Sequence, residues 1–329
     1  MCGDQPVDSL AMKAATYSKY GPPGVVEVSD LPTPEPGDSE VLVRVEAVAV
    51  TSGDARIRAA RFPRGFALPA RLAFGLRRPR RKVLGMTFSG VVETAGSKTT
   101  GFAPGDEVCG MTGFPMGAHA EYVAVRARKL ARKPAGVSHT DAAGILFGGS
   151  TALYFLRDNC EIKPGSSVLI NGASGSIGTA AVQLAKRMGA TVTAVCSSGN
   201  SGLVERLGAD RTVDYRETPV TELPDRFDAV LDTVGNIDRK SGTRLLNDDG
   251  VLLLAVASLG ETIRPGGRVK SGNGPEDPAD FEYLLGLVED GQLDTVTEVL
   301  DGLECVTEAY ERIDSGHKTG NLVLRLNNS

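Results

Sequence analysis

Short apolar runs separated by Gly- and Pro-bearing turns fill the first 130 residues of the chain. Residues 12–17, 25–28 and 41–48 read as strands, and the Pro-rich stretch 31–38 parts the second from the third. Residues 88–94, 107–111 and 120–125 continue the pattern, with Pro104-Gly105-Asp106 marking a turn. From Thr140 the texture changes. Residues 142–157 are apolar and predict a helix, and beyond them strand and helix patterns alternate: 167–170, 178–188, 191–195, 201–207, 212–213, 229–232, 238–246 and 251–256. Such alternation predicts a parallel sheet with helices on both faces. Residues 268–271 suit a sixth strand at its edge, 279–289 and 306–315 predict helices, and 321–326 predict a last strand. The chain reads as α/β: a β-rich module beside a doubly wound parallel sheet.

The sharpest signal lies within the alternation. Val168-Leu169-Ile170-Asn171 runs into Gly172-Ala173-Ser174-Gly175-Ser176-Ile177-Gly178, and Ala180, Ala181, Leu184 and Met188 follow at helical spacing. That order puts a helix N-terminus where a dinucleotide diphosphate sits on free backbone N–H groups and the positive end of the helix dipole. Gly172 serves the tight turn, Gly175 lets backbone approach the phosphates, and Gly178 permits close helix–strand contact.

An acidic residue at the end of the second strand of such a sheet holds the ribose 2′-hydroxyl of NAD. Here that strand ends in Cys196-Ser197-Ser198-Gly199-Asn200-Ser201, and no carboxylate appears until Glu205. Ser197, Ser198 and Asn200 can donate hydrogen bonds to a 2′-phosphate, so NADP(H) is the expected cofactor. A polar loop without a specific partner is the alternative. The loop holds no Arg or Lys, and Lys186, Arg187, Arg211 or Arg216 would have to bring charge to it through the fold.

At 329 residues the chain is long enough for two cores. A net charge of −5 gives no reason to expect a nucleic-acid partner. The scattered cysteines Cys2, Cys109, Cys160, Cys196 and Cys305 suit free thiols in a reducing cytoplasm. No apolar run is long enough to span a membrane, and no membrane partner is expected. Residues 1–11 lack a signal-peptide order and read as a loose extension.

Several segments together carry a family likeness. They include Met12-Lys13-Ala14 with Tyr20-Gly21-Pro22, Pro34-Glu35-Pro36-Gly37 before Glu40–Val45, and Gly85-Met86-Thr87-Phe88-Ser89-Gly90. Gly105-Asp106-Glu107-Val108, Ala120-Glu121-Tyr122-Val123, the glycine turn and Asp232-Thr233-Val234-Gly235 follow in order. From about Met12 onward the chain resembles the medium-chain dehydrogenase/reductase superfamily, in its zinc-free quinone oxidoreductase-like branch. The resemblance implies a GroES-like catalytic domain over 1–130 and 275–329, a Rossmann NADP-binding domain over 131–274, and substrate in the cleft between them.

Zinc relatives carry a cysteine where Thr51 or Ser52 stands and a His-Glu pair where Met86-Thr87 stands. His119, His139 and His317 have no Cys or His at ligand spacing, so no metal site is expected. Without a Lewis acid an alkoxide is hard to stabilise, which turns the expectation toward conjugated acceptors that delocalise incoming charge themselves.

Further site residues follow from the resemblance. Thr151 matches a threonine at the start of the helix under the cofactor, which implies a bond near the nicotinamide or its phosphates, with an N-cap role as the alternative. Tyr215 matches a tyrosine beside the adenosine, with plain packing as the alternative. Val234, Gly235, Val256, Ala257 and Ser258 end parallel strands where ligands bind. Gly320-Asn321 stands where many relatives have Gly-Lys, so Asn321 belongs to the cofactor site but the lysine is lost. Thr51 and Asp54 occupy the catalytic corner, Thr51 as a donor to a substrate oxygen and Asp54 as either a participant or a loop anchor. Solvent can protonate the product enolate. Cys109 and Tyr154 read as packing. Phe62, Phe66, Phe114, Met116 and Phe147 either line an apolar pocket or anchor loops.

Segment 56–82 holds ten Arg or Lys residues and no acid. It reads either as a solvated surface or as a dock for an anionic or carrier-linked substrate. The leading expectation is an NADPH-dependent reductase of quinones or α,β-unsaturated carbonyls. A carbonyl reductase or alcohol dehydrogenase, and a non-catalytic NADPH-binding sensor or scaffold, are the alternatives. Antiparallel pairing of residues 268–271 across a two-fold axis predicts a homodimer.

Overall fold

The computed structural model describes residues 11–263, 267–272 and 274–326. Cys2 and nearly all of the expected N-terminal extension lie outside the described residues. β1 (Ala11–Tyr17) and β2 (Val26–Pro32) form an antiparallel ribbon. β3 (Glu40–Ala49) leads through α1 (Ser52–Ala59) and α2 (Ala67–Phe74) to β4 (Thr87–Ala95), β5 (Glu107–Met111), β6 (Tyr122–Arg126) and β7 (Leu130–Arg132). α3 (His139–Leu153) then opens a nucleotide-type unit. In it β8 (Ser167–Asn171), α4 (Ser176–Arg187), β9 (Thr191–Cys196), α5 (Ser201–Arg206), β10 (Arg211–Asp214) and β11 (Phe227–Asp232) follow one another. α6 (Arg239–Gly242), β12 (Leu246–Leu254), α7 (Leu259–Thr262) and β13 (Val269–Ser271) complete it. The chain returns through α8 (Pro278–Glu289), β14 (Thr297–Asp301), α9 (Val306–Asp314) and β15 (Asn321–Arg325).

The six-stranded sheet runs β10-β9-β8-β11-β12-β13, all parallel. Its central strands are buried on both faces, which is why Val168-Leu169-Ile170 shows no polar alternation. The β-rich sheet runs β14-β15-β3-β4-β5-β7, with β6 on β3. Strands of the parallel sheet fall within residues 167–271, and those of the β-rich part within 11–132 and 297–325. We propose the division into 1–130 with 275–329 and 131–274 on that segregation.

α3 joins the two parts, and its small residues decide how closely they meet. A Cβ on Gly144 would stand 3.0 Å from Thr297 Oγ1 and 3.3 Å from Asn321 Cβ. One on Gly148 would stand 2.4 Å from the Ser176 carbonyl oxygen, and one on Gly149 3.0 Å from Leu284. The strand β15, the glycine turn and α8 thus all press on one apolar helix.

The expected element types hold, with local differences. The helix expected over 142–157 ends as α-helix at Leu153 and continues as a π-helical turn, Tyr154–Asn159. The helix expected over 238–246 stops early because Leu246 already pairs with Phe227 across a register shift that opens β12. β7 and β14 were not expected from the pattern. β7 spans three residues, and β14 is a half-exposed edge strand with little apolar content.

Candidate functional site

The glycine turn ends β8 and starts α4. Gly172 has φ +80°, and a Cβ there would lie 2.5 Å from Thr233 Oγ1. A Cβ on Gly178 would lie 2.2 Å from the Gly172 carbonyl oxygen, so this glycine sets the closeness of helix and turn. Gly175 differs. Its backbone is ordinary (φ −82°, ψ 178°), and a Cβ would meet only the Gly172 oxygen, at 3.5 Å. As N-cap of α4 it offers no side chain to the first-turn N–H groups. An uncapped helix start with open space before it fits an anionic diphosphate. Ser176 Oγ donates to Asn321 Oδ1, and Asn321 Nδ2 donates to the Thr295 carbonyl at 2.6 Å. Asn321 therefore acts by fixing Ser176; both ends of its amide are spent inside the protein. The Gly320 N–H donates to the Ser174 carbonyl at 2.8 Å, tying β15 to the turn.

The loop after β9 closes on the same turn. Asn200 Nδ2 donates to Ser174 Oγ at 3.1 Å and lies 3.3 Å from Ser197 Oγ. Asp214 enters from β10, accepting from the Ser198 N–H and the Arg216 N–H at 2.9 Å each. Those bonds hold its carboxyl below the usual carboxylate range, the Arg216 amide first. The carboxylate missing from the β9 loop is thus supplied from one strand away, but its oxygens are turned to backbone donors. Of the four basic candidates, Lys186 pairs with Asp210, Arg211 pairs with Asp225, and Arg187 bonds Gln292. Arg216 lies over the ring of exposed Tyr215, 5.7 Å from its centroid, and makes no ion pair among the described residues.

Asp232, at the end of β11, organises the next loop. Its buried carboxylate accepts from Asn171 Nδ2 at 2.8 Å and from the N–H groups of Val234, Gly235 and Ile237. Burial raises its pKa despite these donors. Gly235 (φ +91°) packs on Val256, so the ends of β11 and β12 meet. Ala257 is partly buried beside them, and Ser258 caps α7, its hydroxyl donating to Glu261 at 2.8 Å.

At the corner after β3, Thr51 and Asp54 form a reciprocal capping box. The Thr51 hydroxyl donates to Asp54 Oδ2 at 2.6 Å, and the Thr51 N–H does so at 2.9 Å. This bond turns the Thr51 hydroxyl toward Asp54, while Thr51 also lines the cavity where the two parts meet, and its donation to a substrate oxygen is a proposal. Asp54 is fully buried and its carboxyl is raised, chiefly by burial, which suits a loop anchor. The position expected for Thr151 is corrected: it sits near the end of α3, not at its start, and its hydroxyl donates to the Phe147 carbonyl at 2.7 Å, while a bond to the cofactor is a proposal. Thr151 has no N-cap role.

Thr51, Ser52, Phe147, Ser176, Lys318 and Asn321 line a narrow cavity where the two parts meet. Lys318 stands two residues before Gly320 and lines this cavity. Its ammonium donates to the Gly320 carbonyl and has no carboxylate partner among the described residues. Burial pulls it down to about 8. The sequence signal was the Lys318-Thr319-Gly320 spacing; only the turn into β15 shows its aim. Phe147 reaches the cavity. Phe62 and Phe114 instead stack on Phe74, Met116 is buried in the β-rich core, and Phe66 precedes α2. Cys109 is buried and its thiol pushed up to about 12 by desolvation, as packing requires. Tyr154 packs edge-on against Phe155. Among the described residues no three His, Cys, Asp or Glu side chains gather as metal ligands would.

A β-rich part apposed to a parallel sheet with a diphosphate-type turn at their junction defines a two-part dehydrogenase architecture. Residues 37–135 match the alcohol dehydrogenase GroES-like domain family, and residues 207–324 match the family described as zinc-binding dehydrogenase. The chain is 30% identical over 326 residues to the chloroplastic NADPH-dependent alkenal/one oxidoreductase of Arabidopsis thaliana, covering 95% of this chain and 79% of that protein. It is 29% identical to the chloroplastic quinone-oxidoreductase QR1 of Triphysaria versicolor, over 95% of this chain and 98% of that one. The structure of the quinone oxidoreductase from Coxiella burnetii superposes with a TM-score of 0.87 at 29% identity, covering 97% of this chain and all of that one. The chain belongs to the medium-chain dehydrogenase/reductase superfamily of oxidoreductases, in its quinone oxidoreductase-like branch.

Proposed function

We propose that the chain is an NADPH-dependent reductase acting on a quinone or an α,β-unsaturated carbonyl compound. The observation that carries this reading is the uncapped start of α4, opened by Gly175 and facing the cavity that Thr51, Phe147 and Lys318 line. The names of the Arabidopsis and Triphysaria relatives support the cofactor and the acceptor class. The α4 amides would hold the diphosphate. Ser197, Asn200 and Arg216 would meet a 2′-phosphate, with Tyr215 beside the adenine. Bound NADPH supplies a hydride. Around it, the loops Val234-Gly235 and Val256–Ser258 shape the nicotinamide side, and Phe147 with Met86 keeps the corner apolar and poor in water. Lys318 brings positive charge to the cavity floor, where developing negative charge on an acceptor oxygen is stabilised. Met86 and Thr87 in place of metal ligands support a zinc-independent reaction, and solvent returns the proton.

Among the described residues no strand pairs with the outer edge of β13, which supports a homodimer through residues 268–271; a monomer by light scattering overturns that. Cys109, Cys160, Cys196 and Cys305 are unpaired, in keeping with work in the cytoplasm. No helix among the described residues is long and apolar enough to cross a membrane. The activity is tested by following NADPH and NADH oxidation with quinones, enones and aldehydes. Preference for NADPH with quinone or enone is expected. Turnover with aldehydes alone, or tight NADPH binding with no turnover, overturns the reading.

A further inference from the structure

The reductase reading leaves unused the basic segment between β3 and β4. Four of its ten cations are absorbed by the fold. Arg58 is fully buried and pairs with Asp314 at 2.6 Å, Arg61 shares that carboxylate, Arg71 lies over Tyr20, and Arg56 is largely desolvated. Arg64, Arg77, Arg78, Arg80, Arg81 and Lys82 remain exposed and make no ion pair among the described residues. Beside them the structure exposes apolar side chains: Leu68 is 64%, Leu72 57% and Leu76 55% exposed. Leu68 and Leu72 are four apart on α2 and share a face, and Leu76 follows just past the helix end. Phe74 points the other way round the helix and stacks between Phe62 at 6.0 Å and Phe114 at 4.5 Å, so α2 is braced from behind.

We propose that this face docks on an anionic lipid bilayer surface. The exposed leucines call for an apolar medium and the flanking cations for anionic groups, and a bilayer offers both as adjacent layers. A phosphate ligand or a nucleic acid would satisfy the cations and leave the leucines in water. The docking is peripheral. It involves no membrane-spanning segment, and no helix among the described residues is long and apolar enough to be one.

The face also borders the proposed cleft. The Leu259 N–H donates to the Arg64 carbonyl at 2.9 Å, and Gly65 packs on Leu259 at the start of α7, which ends beside exposed Ile263. A bilayer-dissolved quinone or enone would then enter at the membrane side. Only this last step rests on the reductase reading.

The test is sedimentation of the full chain with phosphatidylcholine vesicles, with and without about one-third phosphatidylserine. Binding is expected only with phosphatidylserine and should fall with salt. Replacing Arg77, Arg78, Arg80 and Arg81 with Ser should weaken it on the order of 1,000-fold. Replacing Leu68, Leu72 and Leu76 with Ser should weaken it at least ~10-fold. Both variants should keep the wild-type melting temperature and NADPH affinity, so membrane docking and cofactor binding are judged separately. The proposal falls if the wild type stays in the supernatant, or if either variant binds like wild type. It falls equally if the leucine variant dissolves a dimer instead, or if an acidic carrier protein is retained where vesicles are not.

Discussion

Replacing Gly175 with Ala should weaken NADPH binding about 10- to 100-fold while leaving the cofactor-free fold at least as stable. Its φ of −82° and ψ of 178° suit alanine, and the added Cβ would meet a single atom at 3.5 Å, an ordinary contact. The fold gives no reason for glycine here. Limiting the unfolded chain should stabilise the variant by about 0.4–1 kcal/mol. The methyl group would stand where a diphosphate oxygen approaches the first α4 amides. Losing one charge-assisted hydrogen bond costs about 1.5–3 kcal/mol, which gives the predicted loss of affinity at ~1.4 kcal/mol per decade. Gly178→Ala is the control. Its Cβ would sit 2.2 Å from the Gly172 oxygen and 2.6 Å from Ala173 Cα, so stability falls with binding, by about 1–3 kcal/mol. Calorimetric titration with NADPH and melting without it separate the two. A Gly175→Ala protein that binds NADPH like wild type would show that no phosphate lies over this turn.

Arg216→Ala should raise the KM for NADPH at least ~10-fold and leave that for NADH unchanged, since a charge-assisted bond to the 2′-phosphate is lost; equal effects on both cofactors refute the assignment. Lys318→Gln should lower kcat/KM ~10- to 100-fold. Because burial holds Lys318 at about 8 against 10.5 when unfolded, its cost to stability is full below that lower value and vanishes as pH rises toward the higher one. The variant should therefore melt higher than wild type at neutral pH, with the gap closing in alkali; a pH-independent gap contradicts the burial. Asp54→Asn should change kcat less than ~3-fold and cost about 1 kcal/mol as a weakened cap; a loss of activity beyond 100-fold, with the fold intact, would restore a catalytic role. Arg58→Met should cost no more than ~1 kcal/mol in denaturant titration, because Asp314 keeps Arg61 at 2.6 Å and the buried charge is removed, not stranded; a loss of ~3 kcal/mol or more contradicts this.

The six parallel strands and the glycine turn were legible because each is local. β8 reads as an uninterrupted apolar run, and the turn is a fixed spacing between a strand and a helix start. The β-rich part was visible as alternation and turns, except for β7 and β14, which carry too few residues or too little apolar content to stand out. The catalytic corner was harder. Thr51 and Asp54 were found by position, but a sequence does not show where a hydroxyl proton goes.

Sequence alone determined most of the element types and the glycine turn of the diphosphate site, since these depend on neighbours in the chain, but not α1, α2, α7, β7 or β14. Tertiary structure decided which charges are free. Lys186, Arg211 and Arg58 are spent on carboxylates 24, 14 and 256 residues away, while Arg216 makes no ion pair and Lys318 reaches the cavity. It also decided that Asp214 and Asp232 hold the loops of the cofactor side by their backbone amides. Pairing across such separations is set by how sheets and helices pack, and packing is a property of the assembled chain.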